Sequence, residues 1–142
     1  MKNTDIDTNW IILFAAWLIA AVGLLGSLFF SEVMEFAPCT LCWFERIFLY
    51  PLVITLAIGL FPFDRAAIKY SLPLAITGLL IAFYHNLVYF GIISEDLTPC
   101  KQGVSCSDVY IKLLGFIDIP LLALMSFAAI IVLLFILKRR LK

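Results

Sequence analysis

The sequence carries little charge, and none of it is concentrated in one sign. Lys and Arg together number 10, Asp and Glu also number 10, and the formal net charge is zero. No basic stripe is present, so nucleic acid is not expected as a partner. The 142 residues leave room for one compact bundle and none for a separate soluble domain, so residues 1–142 are predicted to form a single domain.

Apolar residues take the place of the missing charge. They make up 64% of the chain, whereas a soluble domain is typically about 45–50% apolar. We therefore expect an all-α membrane protein, because lipid offers no partner to bare backbone groups and a helix satisfies its own. The first apolar stretch, Trp10–Phe30, is longer than the apolar region of a signal peptide, so cleavage is not expected.

Four apolar stretches each approach the roughly 20 residues that a bilayer demands, and they predict a four-transmembrane-helix bundle. They cover residues 10–30, 43–61, 71–91 and 119–137.

The distribution of Lys and Arg predicts the orientation of the bundle. Cytoplasmic loops carry an excess of these residues. The second loop holds Arg65 and Lys69, and the tail after residue 137 holds four more. Both termini are therefore predicted to be cytoplasmic, with the first and third loops outside.

The four cysteines form two close pairs, Cys39/Cys42 and Cys100/Cys106. Both pairs fall in the loops predicted to lie outside, where disulfides persist, whereas the cytosol keeps thiols reduced. Paired cysteines at the ends of membrane spans indicate thiol–disulfide chemistry at the membrane surface. Four cysteines allow three pairings, and the sequence does not choose among them.

The first pair opens the second span. Cysteines three residues apart on a first helical turn share a face and lie close enough to bridge. A helix N-terminus also stabilises a thiolate. Arg46 follows Cys42 by four residues on the same face, and an arginine inside a membrane helix is a functional-site hypothesis by default. The alternatives are that Arg46 reaches the interface or pairs with an acid such as Glu45.

The second pair encloses a short loop in which Gly103 can supply the turn. A small ring gains little closure entropy, so an exposed disulfide here is better suited to exchange than to holding a fold together. The alternative is a plain loop staple. The next segment, Ser107–Phe116, is predicted to form a short interfacial amphipathic helix; otherwise its apolar stripe packs on the bundle.

These features together resemble the DsbB-type membrane thiol oxidases. The resemblance is carried by Cys39-x-x-Cys42-x-x-x-Arg46 at the start of the second span and by a second outward pair before the fourth. The tight spacing of that second pair is similar to the Gram-positive BdbC-like branch. The resemblance implies an enzyme of the bacterial cytoplasmic membrane. It would reoxidise an extracytoplasmic thioredoxin-fold (DsbA-like) protein and pass electrons to a quinone, either menaquinone or ubiquinone.

The resemblance also implies a role for each cysteine. Cys100 would form the mixed disulfide with the partner, and Cys106 would resolve it and exchange with Cys39. Cys42 would face the quinone, and Arg46 would stabilise the thiolate–quinone intermediate. A relay of two cysteine pairs needs no metal.

Two further residues are candidate quinone contacts. His85, the single histidine, lies in the third span and is predicted to face Arg46 and donate a hydrogen bond to a quinone oxygen. A bond to a neighbouring helix is the alternative. Trp43 is predicted to touch the quinone ring, with an interfacial anchor as the alternative.

Three other functions remain open at this point. A vitamin K epoxide reductase-like protein also combines paired cysteines, a quinone and a four-helix bundle, but its two cysteine pairs come in the reverse order. A structural membrane protein with two static disulfides is the second. The third is a zinc- or copper-binding module that uses both cysteine pairs, since zinc usually takes four ligands.

Overall fold

Four long helices make up most of the chain. A computed structural model describes residues 2–94, 96, 105–106, 112–113 and 117–142, with side chains from Thr8 onward. The helices are α1 (Lys2–Glu32), α2 (Thr40–Leu60), α3 (Ala66–Tyr89) and α4 (Ile119–Arg140). Two short strands precede α4, namely β1 (Lys112–Leu113) and β2 (Ile117–Asp118).

Each helix is long and apolar enough to cross a membrane, with α1 contributing Thr8–Glu32. The prediction of an all-α four-helix membrane bundle is confirmed. Two helices begin earlier than the hydropathy pattern indicates. In α2 the first turn is capped by Cys39, and in α3 the Asp64 carboxylate accepts a hydrogen bond of 2.8 Å from the Ala66 amide. Both starts are fixed by hydrogen bonds at the helix end, which hydropathy does not report.

The helices close into a ring in chain order. α2 packs against α1 and α3, and α4 packs against α3 and α1. Fifteen buried apolar side chains from all four helices fill the centre, and Leu13, Leu52, Leu56, Ile130 and Leu134 are fully buried among them. In a membrane such packing holds the helices through close van der Waals contact.

A second, smaller buried cluster lies where α2 begins and α3 ends. It contains Cys39, Leu41, Val88 and Cys106. Nearby, the Asn86 side-chain amide donates hydrogen bonds to Ala82 O and Pro120 O, at 2.7 and 2.9 Å. The second of these bonds ties the end of α3 to the first turn of α4, so three helices meet at the cysteines.

The predicted amphipathic helix over Ser107–Phe116 is wrong for the residues that can be compared. Lys112 and Leu113 form β1, which pairs antiparallel with β2 in the register Lys112 with Asp118 and Leu113 with Ile117. The other residues of that segment lie outside the described ones. Gly115, between the strands in sequence, disfavours a helix by about 1 kcal/mol relative to Ala, which the stripe of apolar residues does not reveal.

Candidate active site

Cys39 is the N-cap of α2. Its backbone is extended, with φ −70° and ψ 166°, and its Sγ accepts a hydrogen bond of 3.3 Å from the Cys42 amide. A thiol thus occupies the position where Ser, Thr, Asp or Asn usually caps a helix. The sulfur therefore sits at the positive end of the helix dipole, which stabilises a thiolate.

The two sulfurs of the first pair lie together. Cys39 and Cys42 are free thiols, and their Sγ atoms are 2.9 Å apart. Because a disulfide joins sulfurs at about 2.05 Å, only a small displacement separates the dithiol from the bonded pair. The sequence interpretation that these residues share one face of the first turn agrees with this distance.

The surroundings of Cys39 favour its thiolate form. The hydrogen bond with Cys42 holds the pKa of the Cys39 thiol well below its ordinary value, and His85 adds to this through a second hydrogen bond and its charge. Burial opposes the shift, since only 6% of Cys39 is exposed. The hydrogen bonds prevail, so Cys39 is prepared to react at neutral pH.

His85 reaches the site from α3. Its Nε2 lies 3.6 Å from Cys39 Sγ, and its Nδ1 lies 2.9 Å from Glu45 Oε1. The imidazole thus faces Cys39 and Glu45 rather than Arg46, and both ring nitrogens have protein partners. The predicted hydrogen bond from His85 to a quinone oxygen finds no unoccupied ring nitrogen in this arrangement.

Glu45 is a site residue whose role the sequence interpretation missed. It appeared there only as a possible partner of Arg46, yet its carboxylate meets the imidazole of the single histidine. Only 8% of Glu45 is exposed. An acid inside a membrane helix, in a chain with one histidine in the next span, was the signal that could have indicated this pair.

Arg46 projects from α2 toward α1. Its Nε donates to Ser27 Oγ at 2.8 Å, and its Nη2 donates to the Ser27 carbonyl at 2.6 Å. Only 4% of the residue is exposed, so it does not extend to the interface. Its hydrogen bonds go to Ser27 rather than to Glu45, which leaves both sequence alternatives without support.

One nitrogen of Arg46 remains available for a ligand. Nη1 is buried and has no hydrogen-bond partner, although buried polar groups are nearly always paired. The guanidinium carbon lies 5.4 Å from the centre of the Trp43 ring, and half of Trp43 is exposed. A buried donor beside an accessible aromatic ring, one turn below Cys42, fits the carbonyl oxygen and flat ring of a quinone.

The second cysteine pair is described in part. Cys106 is disulfide-bonded, and Cys39 and Cys42 are not its partners because both are free. Only 3% of Cys106 is exposed, and it shares the small buried cluster with Cys39. Cys100 lies outside the described residues.

The site offers a metal ion three ligand atoms. The sulfurs of Cys39 and Cys42 and a ring nitrogen of His85 lie within 4.8 Å of one another. A structural zinc site takes four ligands, and no fourth joins this group within the described part of the chain. Cys106 is disulfide-bonded and supplies no thiolate. The four-cysteine zinc site considered from the sequence is therefore not assembled here.

A helical membrane bundle that carries a buried dithiol beside a disulfide-bonded cysteine defines a class, the membrane thiol–disulfide oxidoreductases. Comparison with known proteins agrees with this class. The family model of the disulfide bond formation protein DsbB matches residues 8–137. The chain therefore belongs to the DsbB family, and it is a disulfide-generating oxidoreductase.

Two curated relatives support the same assignment. The chain is 45% identical to "Disulfide bond formation protein C" of Bacillus subtilis (strain 168), over 90% of this chain and 93% of that protein. It is 43% identical to a "Probable disulfide formation protein" of Metapseudomonas resinovorans, over 93% and 92%. The predicted similarity to the BdbC-like branch is confirmed. No solved structure matches the chain significantly.

Proposed function

We propose that this protein reoxidises an extracytoplasmic thioredoxin-fold dithiol protein and delivers the electrons to a membrane quinone. Residues 1–142 act as one domain in the bacterial cytoplasmic membrane, with both termini cytoplasmic. The observation that carries the proposal is the shared burial of Cys39 and Cys106 in one cluster. Exchange between two cysteine pairs requires a sulfur of one pair to reach a sulfur of the other.

The relay begins outside the bundle and conserves electrons at each exchange. The partner dithiol reduces a Cys100–Cys106 disulfide through a mixed disulfide at Cys100, and the partner leaves oxidised. The Cys106 thiolate then attacks Cys39 in the oxidised first pair, which breaks the Cys39–Cys42 bond and releases Cys42 as a thiolate. Cys100 next attacks Cys106, which restores the outer disulfide and leaves both electrons on Cys39 and Cys42.

A quinone supplies an acceptor for two electrons and two protons when it is bound beside Cys42. Arg46 holds it through Nη1, which is buried and has no protein partner. Ser27 fixes the guanidinium through two hydrogen bonds, so the donor is oriented before the ligand arrives. Trp43 provides an aromatic face at the entrance. Arg46 also places a positive charge one turn from the Cys42 sulfur.

His85 handles the proton of Cys39 in this proposal. An ionised carboxylate only accepts hydrogen bonds, so Glu45 keeps the hydrogen on Nδ1 and leaves Nε2 to accept from the Cys39 thiol. Cys39 then becomes the thiolate that closes the disulfide onto Cys42. Glu45 acts through His85, fixing the tautomer and stabilising the imidazolium. This role differs from the quinone contact that the sequence predicts for His85.

The decisive experiment follows quinone absorbance with purified protein in detergent and a reduced thioredoxin-fold oxidase as the electron donor. We expect one quinone to be reduced for each partner disulfide formed, and Cys42→Ser to abolish the reaction. Quinone loss without partner oxidation, or well-folded protein inactive with both menaquinone and ubiquinone analogues, would overturn the proposal. Metal analysis of the same preparation discriminates the zinc or copper alternative, for which one equivalent of metal is expected.

Family membership weighs against the other two alternatives. DsbB-family assignment places the dithiol at the start of the second span, whereas the vitamin K epoxide reductase-like order is the reverse. A static disulfide has no use for a strongly lowered thiol pKa at Cys39. Both arguments favour turnover at the Cys39/Cys42 pair.

A further inference from the structure

A groove of about 680 Å³ opens between the start of α3 and the end of α4. This is the end of the bundle opposite Cys39, because α2 runs from Cys39 toward the turn that leads into α3. Four cationic side chains line the groove, and they are Arg65, Lys69, Lys138 and Lys142. Its remaining walls are apolar and include Leu72, Ile76 and Phe135.

The cations of this groove are not neutralised by acids. Among the residues that the structure describes, none of the four forms an ion pair with a carboxylate. The recorded interactions of Arg65 and Lys138 are a hydrogen bond of 3.3 Å to the Leu141 carbonyl and a cation–π contact over Phe135 at 6.0 Å. The nearest acid in sequence, Asp64, uses its carboxylate to start α3. The groove therefore presents concentrated positive charge without a counter-ion.

Helix dipoles explain only half of this charge. Lys138 lies in the last turn of α4, where cations are favoured by the negative end of the dipole. Arg65 and Lys69 lie at the first turn of α3, where the dipole disfavours them. An excess of Lys and Arg in cytoplasmic loops accounts for their side of the membrane but not for their convergence on one apolar groove.

We propose that this groove binds one anionic phospholipid, with the phosphate between Lys69 and Lys138 and an acyl chain against Leu72 and Phe135. Basic pockets between membrane helices hold acidic head groups in this way. A free phosphate would use the charges and leave the apolar walls bare, so the combination favours a lipid. The site is independent of the thiol chemistry and stands whether or not the relay proposed above is correct.

The test is native mass spectrometry of the whole protein released from detergent, with phosphatidylglycerol and phosphatidylcholine added in parallel. We expect one retained phosphatidylglycerol and no comparable retention of phosphatidylcholine. Lys69→Gln and Lys138→Gln should each weaken retention about fivefold, the equivalent of about 1 kcal/mol per basic residue near a lipid surface. Arg139→Gln is the matched control, because it removes the same charge from the next position of α4 but does not line the groove.

Three results would overturn the proposal. Equal weakening by Arg139→Gln would indicate general surface charge rather than a site. Equal retention of both lipids would remove the role of the phosphate charge. Displacement of the lipid by millimolar glycerol 3-phosphate would identify a free-anion site. Lys69→Arg keeps the charge and should retain the lipid, so a loss of binding by misfolding is recognised by this variant.

Discussion

Glu45 Oε1 lies 2.9 Å from His85 Nδ1 across the α2–α3 interface, and the opposite ring nitrogen lies 3.6 Å from Cys39 Sγ. The three side chains form a buried line from carboxylate through imidazole to thiol. The line also joins the start of one membrane helix to the end of the next. Such a network fixes both the tautomer of the histidine and the environment of the sulfur.

The first prediction concerns the pH dependence of Cys39 in the reduced protein. Because the pKa of Cys39 is lowered, its thiolate persists below the ordinary thiol range, and alkylation should slow little between pH 8 and pH 6. His85→Ala removes one cause of the lowering, so its rate should fall within this window by up to about tenfold per pH unit. The measurement is iodoacetamide labelling resolved by peptide mass spectrometry.

Tyr84→Phe is the control for that experiment. Tyr84 precedes His85 and packs against the same cysteine cluster, but it lacks the ring nitrogen that meets Cys39. Its labelling profile should follow the wild type. If His85→Ala also followed the wild type, Cys42 and the helix N-terminus alone would set the reactivity of Cys39.

The second prediction separates the two functions of Glu45. Glu45→Ala leaves a buried imidazole nitrogen unpaired, which should lower stability by about 1–3 kcal/mol. Glu45→Gln keeps an oxygen that accepts from Nδ1, so its stability should remain nearer the wild type while the pH profile of Cys39 labelling moves upward. Thermal unfolding in detergent and the labelling assay measure the two effects. Glu35→Gln, at an exposed loop position, should change neither, and an unshifted Glu45→Gln labelling profile would leave Glu45 a purely structural role.

The sequence predicted the architecture well because membrane insertion imposes strong rules on it. Apolar length alone locates four spans, and the paired cysteines with Arg46 locate the site. The start of α2 was placed three residues late because a thiol is not a usual helix cap. The hairpin of β1 and β2 was mistaken for a helix because short apolar stripes do not distinguish the two.

The contacts between helices were beyond the sequence. Glu45 and His85 are 40 residues apart, and Arg46 and Ser27 are 19 apart. Which of these faces meet depends on how each helix is rotated about its axis, and that is decided by packing of small and large side chains. Adjacent residues Glu45 and Arg46 consequently face different neighbours, α3 and α1, although sequence proximity suggested that they pair.

The third prediction concerns Arg46. Removal of its guanidinium by Arg46→Ala should slow quinone reduction at least about a hundredfold, since a buried charged hydrogen bond contributes about 1.5–3 kcal/mol and the positive charge beside Cys42 is lost as well. The fold should survive, because only Ser27 loses its partner. Ser27→Ala is the matched variant: it removes the 2.8 Å bond to Nε but keeps the carbonyl bond to Nη2. It should raise the KM for quinone modestly. Unchanged turnover in Arg46→Ala would make the residue a structural contact of α1 and α2.

The last prediction tests whether the two cysteine pairs act as separate stations. Cys100→Ala removes the residue proposed to meet the partner, so oxidation of the thioredoxin-fold protein should stop. The Cys39/Cys42 dithiol is preserved, with its sulfurs still 2.9 Å apart, so quinone reduction should continue when dithiothreitol is the electron donor. Cys39→Ala should stop both reactions, because Cys39 links Cys106 to Cys42. Loss of the dithiothreitol reaction in folded Cys100→Ala protein would show instead that the outer pair shapes the inner site. Cys106 packs beside Cys39, so Cys106→Ser is the more demanding variant: the same retained activity there would establish that the cluster transmits electrons without being needed to build the dithiol.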